Sequence, residues 1–392
     1  MKQTKESTFW ISYLRSFITV LVVWHHANLA YTTFARFDKE IYINSTHPVV
    51  DTQRWLGLDI IVNFNDIYFM SLMFLIGGLF LIKSIQRKGP KQFINDRFRR
   101  LLIPFITLAT FFTLIAYLPA YYLSKGTFYL PDYIIDFFTT QGWPVGPPWF
   151  IWLLFVFNLL FALSYKGLAG FYNKVGQRLN QWREHPIQLI IGLIVLTALW
   201  YIPLSYQLGA SAWTGIGPFD FQLNRILLYL GYFLIGVIIG SIDFNNTLFA
   251  AKSKLVKYWK LWSVIALIVF VLLILITPYL TSLVIQKKID AFYAWMIYYF
   301  IYTLSCCFTS LAMLTVFKAL VKTTHPIWNS LTENAYMIYL CHYPFIIWTQ
   351  FFLLEFKIHA IFKFGITFIV SLLLSWWLSI QLRKISYLKR YV

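Results

Sequence analysis

Trp10-Ile-Ser-Tyr-Leu-Arg-Ser-Phe-Ile-Thr-Val-Leu-Val-Val-Trp-His-His-Ala-Asn-Leu-Ala30 is the stretch that decides the fold class. A helix that crosses a bilayer needs ~20 mainly apolar residues. A signal-peptide core is shorter, ~7–15 residues. No small-residue cleavage site follows Ala30, so the run reads as a retained first membrane helix. Nine more apolar runs follow: Ile61–Ile82, Leu101–Leu123, Trp149–Tyr165, Ile187–Tyr206, Leu223–Ser241, Leu261–Leu280, Phe292–Phe317, Ala335–Leu354 and Ile361–Leu382. The whole chain of 392 residues is 59% hydrophobic and only 12% charged, with mean hydropathy +0.65. A soluble domain carries about 25% charged residues, and disorder requires low hydrophobicity, so both classes are excluded. The runs are continuous rather than alternating, which argues against a transmembrane barrel. The expected fold is an all-α polytopic membrane protein with about ten transmembrane helices. It forms one integral domain over residues 1–392, with no inserted soluble domain and a longest polar connection of roughly Tyr31–Ile60.

The net charge of +18 has two readings, nucleic-acid binding or basic cytoplasmic loops. Its distribution favours the second. With the N-terminus inside, 23 of the 33 basic residues fall in alternate connections and at the two ends, seven fall in the others, and Arg15, Arg225 and Lys363 lie in or beside helices. Such a bias, alternating loop by loop, is the positive-inside pattern. It predicts both termini in the cytoplasm, a lipid bilayer as partner and no nucleic acid. The three cysteines, Cys306, Cys307 and Cys341, lie in apolar runs without metal-ligand or redox spacing, so neither a disulfide nor a metal site is expected. Gly77-Gly78 and the Gly236-x-x-x-Gly240 pair fit close helix packing.

Ionisable groups inside a membrane are costly and mark functional candidates. Here they are Arg15, Asp59, Asp66, Arg225 and Glu333, together with His25, His26 and His342. Arg15 and His26 are eleven residues apart. At about 100° per residue they share one helix face, roughly 16 Å apart along the axis. His25 is turned about 100° away. Asp59, Asn63 and Asp66 form a stripe on the second helix. Asp66, expected at the depth of His26, either orients an imidazole or belongs to a solvated vestibule. Arg97, Arg99 and Arg100 crowd the start of the third helix, just before Pro104. Guanidinium groups there suit phosphates, though basic topology signals take the same form. Gly146-Pro-Pro-Trp149-Phe-Ile-Trp opens the fourth helix, and Asn334-Ala-Tyr336-Met-Ile-Tyr339-Leu-Cys-His342-Tyr-Pro344 opens the ninth.

Taken in order, these motifs resemble the acyltransferase-3 family of integral membrane acyltransferases. The matching positions are Arg15 and His26 in helix one and Phe74-Leu-Ile-Gly-Gly-Leu-Phe at the end of helix two. They continue with Arg97-x-x-Arg100 before helix three, Trp149-Phe150 opening helix four, and the late Tyr336, Tyr339, His342 and Pro344. Many members carry an acidic residue about two turns before the helix-two glycines, whereas Asp66 stands about three turns before Gly77. The resemblance covers nearly the whole chain and points to stand-alone members that act on glucans and exopolysaccharides. It implies a multi-pass protein of a bacterial cytoplasmic (inner) membrane that moves an acetyl- or succinyl-class group. The donor is a cytoplasmic acyl-CoA, with no tightly bound cofactor, and the acceptor is a hydroxyl of an extracytoplasmic glycan. His26 is then the general base, and Asp66, by its expected depth rather than by the family position, is the candidate carboxylate beside it. Arg15, Arg97, Arg99 and Arg100 receive acyl-CoA, and Trp149, Arg225, Tyr339 and His342 line the acceptor or acyl pocket. A polysaccharide or lipid transporter is the rival reading. It accounts for ten helices but leaves the same-face Arg15 and His26 without a use.

Overall fold

The computed structural model describes residues 8–385. The expected cytoplasmic placement of both ends draws on Lys2, Lys5, Lys389 and Arg390, which lie outside the described residues. Helices α1 (Phe9–Leu29), α2 (Leu56–Gly78), α3 (Leu81–Lys88), α4 (Pro90–Arg97), α5 (Thr110–Lys125), α6 (Leu130–Phe138) and α7 (Trp149–Gln181) come first. Then follow α8 (Pro186–Leu208), a hairpin of β1 (Trp213–Thr214) and β2 (Phe221–Gln222), α9 (Ile226–Gly240), and the single turn α10 (Lys254–Lys257). The chain closes with α11 (Trp259–Ile285), α12 (Ala291–Leu320), α13 (Pro326–Leu353) and α14 (Ala360–Leu382). Helices dominate because, in lipid, each backbone N–H and C=O must find its partner within its own segment.

Among the described residues, eight helical stretches are long and apolar enough to cross a membrane. The long helices α1 and α13 fall outside that set, being rich in histidine, asparagine, threonine and serine. They pack against each other inside the bundle, which lets them carry polar groups away from lipid. In the stretch Leu56–Lys88 72% of the apolar window is buried, against 17% for α8 and 22% for α11. The first therefore builds the core and the other two form the rim. Close approach of α2 to α9 depends on glycine. A Cβ on Gly78 would meet the Phe233 carbonyl, one on Gly236 the Leu75 carbonyl, and one on Gly240 the Leu79 carbonyl. Gly77, expected to pack in the same way, points elsewhere: its Cβ would meet the Leu154 side chain, with Cδ1 at 2.9 Å.

Three boundaries depart from expectation. Helix α7 continues to Gln181 and α13 begins at Pro326, so Asn334 lies inside α13, not at its start. Asn334 is buried there and donates Nδ2–H to the Ser330 carbonyl at 2.8 Å. The third apolar run extends an unbroken helical stretch, Pro90–Lys125, broadened to π turns at Phe98–Leu102 and Phe105–Ala109. Pro104 between them has no N–H for the Arg100 carbonyl, four residues earlier. The Tyr336 hydroxyl donates to that carbonyl at 2.7 Å.

Connection 30–55 is ordered by its partners. Buried Lys363 on α14 pairs with buried Asp51 at 2.5 Å. The Thr33 N–H donates to Asp59 Oδ1 at 2.8 Å, and the Tyr42 hydroxyl donates to Asp136 Oδ2 at 2.8 Å. Trp149, at the start of α7, packs edge-on to Trp213 of the hairpin. At the basic end Lys254 donates to the Glu184 carbonyl at 2.8 Å and Arg383 pairs with Glu333 at 3.3 Å.

Candidate active site

The seam between α1 and α13 carries the site. At its basic end lies a cavity of about 480 Å³. Arg15 and Thr19 line it from α1, Gly77 from α2, Arg97 and Arg100 from the π-widened stretch, Phe150 from α7, and Tyr336 and Tyr339 from α13. Segments more than eighty residues apart in sequence thus bring three guanidinium groups to one concavity. Among the described residues none of the three makes an ion pair. Arg97 lies 5.0 Å over the Phe93 ring, which holds it by cation–π attraction. Glu333 also lines the cavity, but its carboxylate is taken by Arg383. Arg99 is exposed and is not among the lining residues, so only the outer pair of the basic cluster is brought in.

Further along the same seam the two helices present imidazoles. The His26 and His342 rings lie 5.5 Å apart, and Tyr343 is 5.8 Å from His26. The partners of these rings fix their tautomers. His26 Nδ1 is 2.8 Å from the Val22 carbonyl, and His342 Nδ1 is 2.8 Å from the Tyr339 carbonyl. A carbonyl only accepts, so each Nδ1 carries the proton and each Nε2 keeps its lone pair. Among the described residues the buried His342 Nε2 has no partner, while the His26 ring remains partly accessible. Tyr339 stands between cavity and imidazoles. Its hydroxyl donates to the Pro147 carbonyl, and its ring lies 6.0 Å from His342 and 6.2 Å from Phe150.

A further histidine, which sequence reasoning missed, joins this group. His47 comes from connection 30–55, is buried, and lies 5.9 Å from Tyr343. Its Nε2 donates to Gln350 Oε1 at 2.7 Å, and Gln350 Nε2 donates to the carbonyls of His26 and Ala27 at 3.3 and 3.2 Å. Burial pushes the His47 imidazole down to about 4, against the smaller opposing effect of its bond to Gln350. No periodicity marks a lone histidine in a polar connection, so only its packing reveals it.

Asp66 is not placed as expected. Its carboxylate pairs with Arg225 at 2.6 Å, and its carbonyl accepts a second Arg225 N–H at 3.2 Å. The nearly buried guanidinium takes the carboxylate because an unpaired charge there is costly. Asp66 therefore does not hold the His26 imidazole; the Val22 carbonyl does. Arg225, expected to line the acceptor or acyl pocket, is already engaged by Asp66 and lies 5.5 Å over the Tyr302 ring. His25 faces away from the seam, 5.2 Å from Phe69. Trp149 packs against Tyr229 at 5.6 Å and does not line the arginine cavity; its neighbour Phe150 does.

A bundle of apolar helices with an arginine-lined cavity and a bare imidazole on one seam defines a membrane protein with a buried chemical site. Residues 8–380 match the acyltransferase-3 family model, described as an acyltransferase domain. The chain belongs to this family. It is also similar to proteins named glucans biosynthesis protein C. That of Shigella dysenteriae serotype 1 (strain Sd197) is 23% identical over 254 residues, 63% of this chain and 61% of that protein. Those of Escherichia coli O17:K52:H18 and Escherichia coli O157:H7 are 23% and 22% identical over the same share. The chain spans about 61% of the length of these curated relatives. No solved structure matches it.

Proposed function

We propose that this protein is a membrane-embedded O-acyltransferase of a bacterial cytoplasmic membrane. It crosses the bilayer ten times, takes an acyl group from a cytoplasmic acyl-CoA and transfers it to a hydroxyl of an extracytoplasmic glycan. The observation that carries this reading is the α1–α13 seam. Its basic end gathers Arg15, Arg97 and Arg100 around one cavity, and the same two helices carry His26 and His342 beyond it. Phosphate oxygens pair with guanidinium groups, and the thin acyl-pantetheine arm suits a path past Tyr339. The relatives' name supports a glucan-like acceptor.

In the reaction His26 Nε2 accepts the proton of the attacking hydroxyl as its oxygen bonds to the thioester carbonyl carbon. The Nδ1–H bond to Val22 holds the ring in the basic tautomer and supports the imidazolium that forms. As the tetrahedral intermediate collapses, the C–S bond breaks and the imidazolium returns the proton to the departing thiolate. The products are the ester and free CoA. His342 Nε2 accepts a hydrogen bond from a second hydroxyl of the acceptor.

The test is O-acylation of an added glucan by membranes containing the protein, with labelled acyl-CoA. Label appearing in the glycan, dependent on His26, supports the reading. Glycan movement across the membrane without any acyl-CoA requirement would favour a transporter instead.

A further inference from the structure

A second cavity, of about 540 Å³, opens at the basic end, lined from α1 by Phe9 and Trp10 rather than by Ser12 and Arg15. Lys257, Lys318 and Lys322 line it together with Asn245, and no acidic side chain does. Among the described residues none of these lysines forms an ion pair. Lys318 is half-buried. Its ammonium donates to Asn245 Oδ1 at 2.6 Å and lies 5.6 Å over the Trp10 ring. The same Oδ1 also accepts Trp10 Nε1–H at 2.9 Å, so this amide oxygen is fully used. An ammonium carries three donors, and Asn245 takes one. Three like charges around one concavity repel, and the repulsion grows as solvent is reduced. An anion in the cavity relieves it and receives the unused donors.

The place of the cavity narrows the ligand. Helix α11 begins at Trp259 and α12 ends at Leu320, so the cavity sits where apolar helices meet the basic surface. Its walls add Trp259, Val256 and Val321 to the lysines. Lysine heads over an aromatic and aliphatic wall suit a ligand with a charged and an oily part. We propose that this cavity binds a phosphate-bearing anion, with the headgroup of an anionic phospholipid as its source. It shares no residue with the arginine cavity and stands independently of the acyl-transfer reading.

The test uses the full chain purified in a neutral detergent. Thermal midpoint and lipid retention in native mass spectrometry are measured with phosphatidylglycerol, phosphatidylcholine or inorganic phosphate. Phosphatidylglycerol is expected to raise the midpoint by several degrees, and phosphatidylcholine not to. Replacing Lys257, Lys318 and Lys322 together by Gln is expected to weaken phosphatidylglycerol retention at least tenfold. A control replacing Lys166, Lys174 and Arg178 by Gln removes equal charge elsewhere on the basic end and is expected to retain it. If the triple variant does not accumulate, Lys322→Gln alone, at an exposed position, is expected to weaken retention severalfold. Inorganic phosphate producing the same lysine-dependent shift would support the site and assign its phosphate to solution. Equal responses to both lipids would overturn the proposal. So would undiminished retention in the lysine variants, or equal loss in the control.

Discussion

At the residue level, two adjacent histidines have opposite assignments for a geometric reason. His26 faces His342 across the seam with its ring partly accessible, whereas His25 faces Phe69. Loss of a general base costs ~10²–10⁴ in rate, so His26→Ala is expected to reduce acyl transfer by that factor at normal protein level. Alanine is well tolerated in a helix. His25→Ala is expected to keep most activity. A dead His25→Ala beside an active His26→Ala would place the chemistry on the other face. Asp66→Asn separates two roles. A carboxylate that oriented His26 would affect turnover, whereas the observed pair with Arg225 predicts less accumulated protein and a near-normal rate per molecule. Quantifying both in one membrane preparation decides between them.

At the scale of elements, neighbouring glycines on α2 perform different tasks. Gly78 faces the α9 backbone, and Gly236 reciprocates from α9 towards Leu75. Backbone does not yield to an added methyl, so Gly236→Ala is expected to prevent normal accumulation. Gly77 lines the arginine cavity beside Leu154, a side chain that can move. Gly77→Val is therefore expected to accumulate but to raise the apparent KM for acyl-CoA several-fold. Equal behaviour of the two variants would refute this division. Connection 30–55 carries a pH dependence of its own. The His47 imidazole sits at about 4 in the folded protein, below the ~6.5 of an unfolded histidine. Between those values the folded state binds fewer protons, so the anchoring by His47 is complete above ~6.5 and declines as pH falls towards 4. Hydrogen exchange in residues 30–55 is expected to accelerate over that window, and His47→Gln to flatten the response.

At the scale of the whole molecule, the cavity and the charge bias make linked predictions. Arg97→Ala with Arg100→Ala is expected to raise the KM for acyl-CoA while the protein still inserts. Each lost charge-assisted contact is worth about 1.5–3 kcal/mol, or roughly ten- to hundredfold in affinity. Unchanged donor affinity would reduce both residues to topology signals. The proposed ten-span arrangement predicts connection 30–55 outside and the end of α7 inside. A cysteine at Arg36 is then labelled by a membrane-impermeant maleimide in intact cells, and one at Lys174 only after lysis. Cys306, Cys307 and Cys341 are buried and give little background. Labelling of both positions from one side would overturn the ten-span arrangement.

Hydropathy, charge alternation and helical spacing by themselves determined much of this protein. The positions of its long helices, the common face of Arg15 and His26, and the motif order that marks its family are all local properties. A run of apolar residues must form a helix in lipid wherever it packs, and eleven residues always return a helix to nearly the same face. Tertiary structure alone decided which side chains meet. It paired Asp66 with Arg225 instead of a histidine, because a buried guanidinium draws the available carboxylate. It brought Arg97 and Arg100 into one cavity with Arg15 and left Arg99 exposed, because that stretch turns one flank towards α1 and α13. It also carried His47 from a polar connection to the imidazole group through Gln350, more than three hundred residues away. Long-range hydrogen bonds of this kind leave no period in a sequence, since they depend on the packing of α1 against α13 rather than on either helix alone.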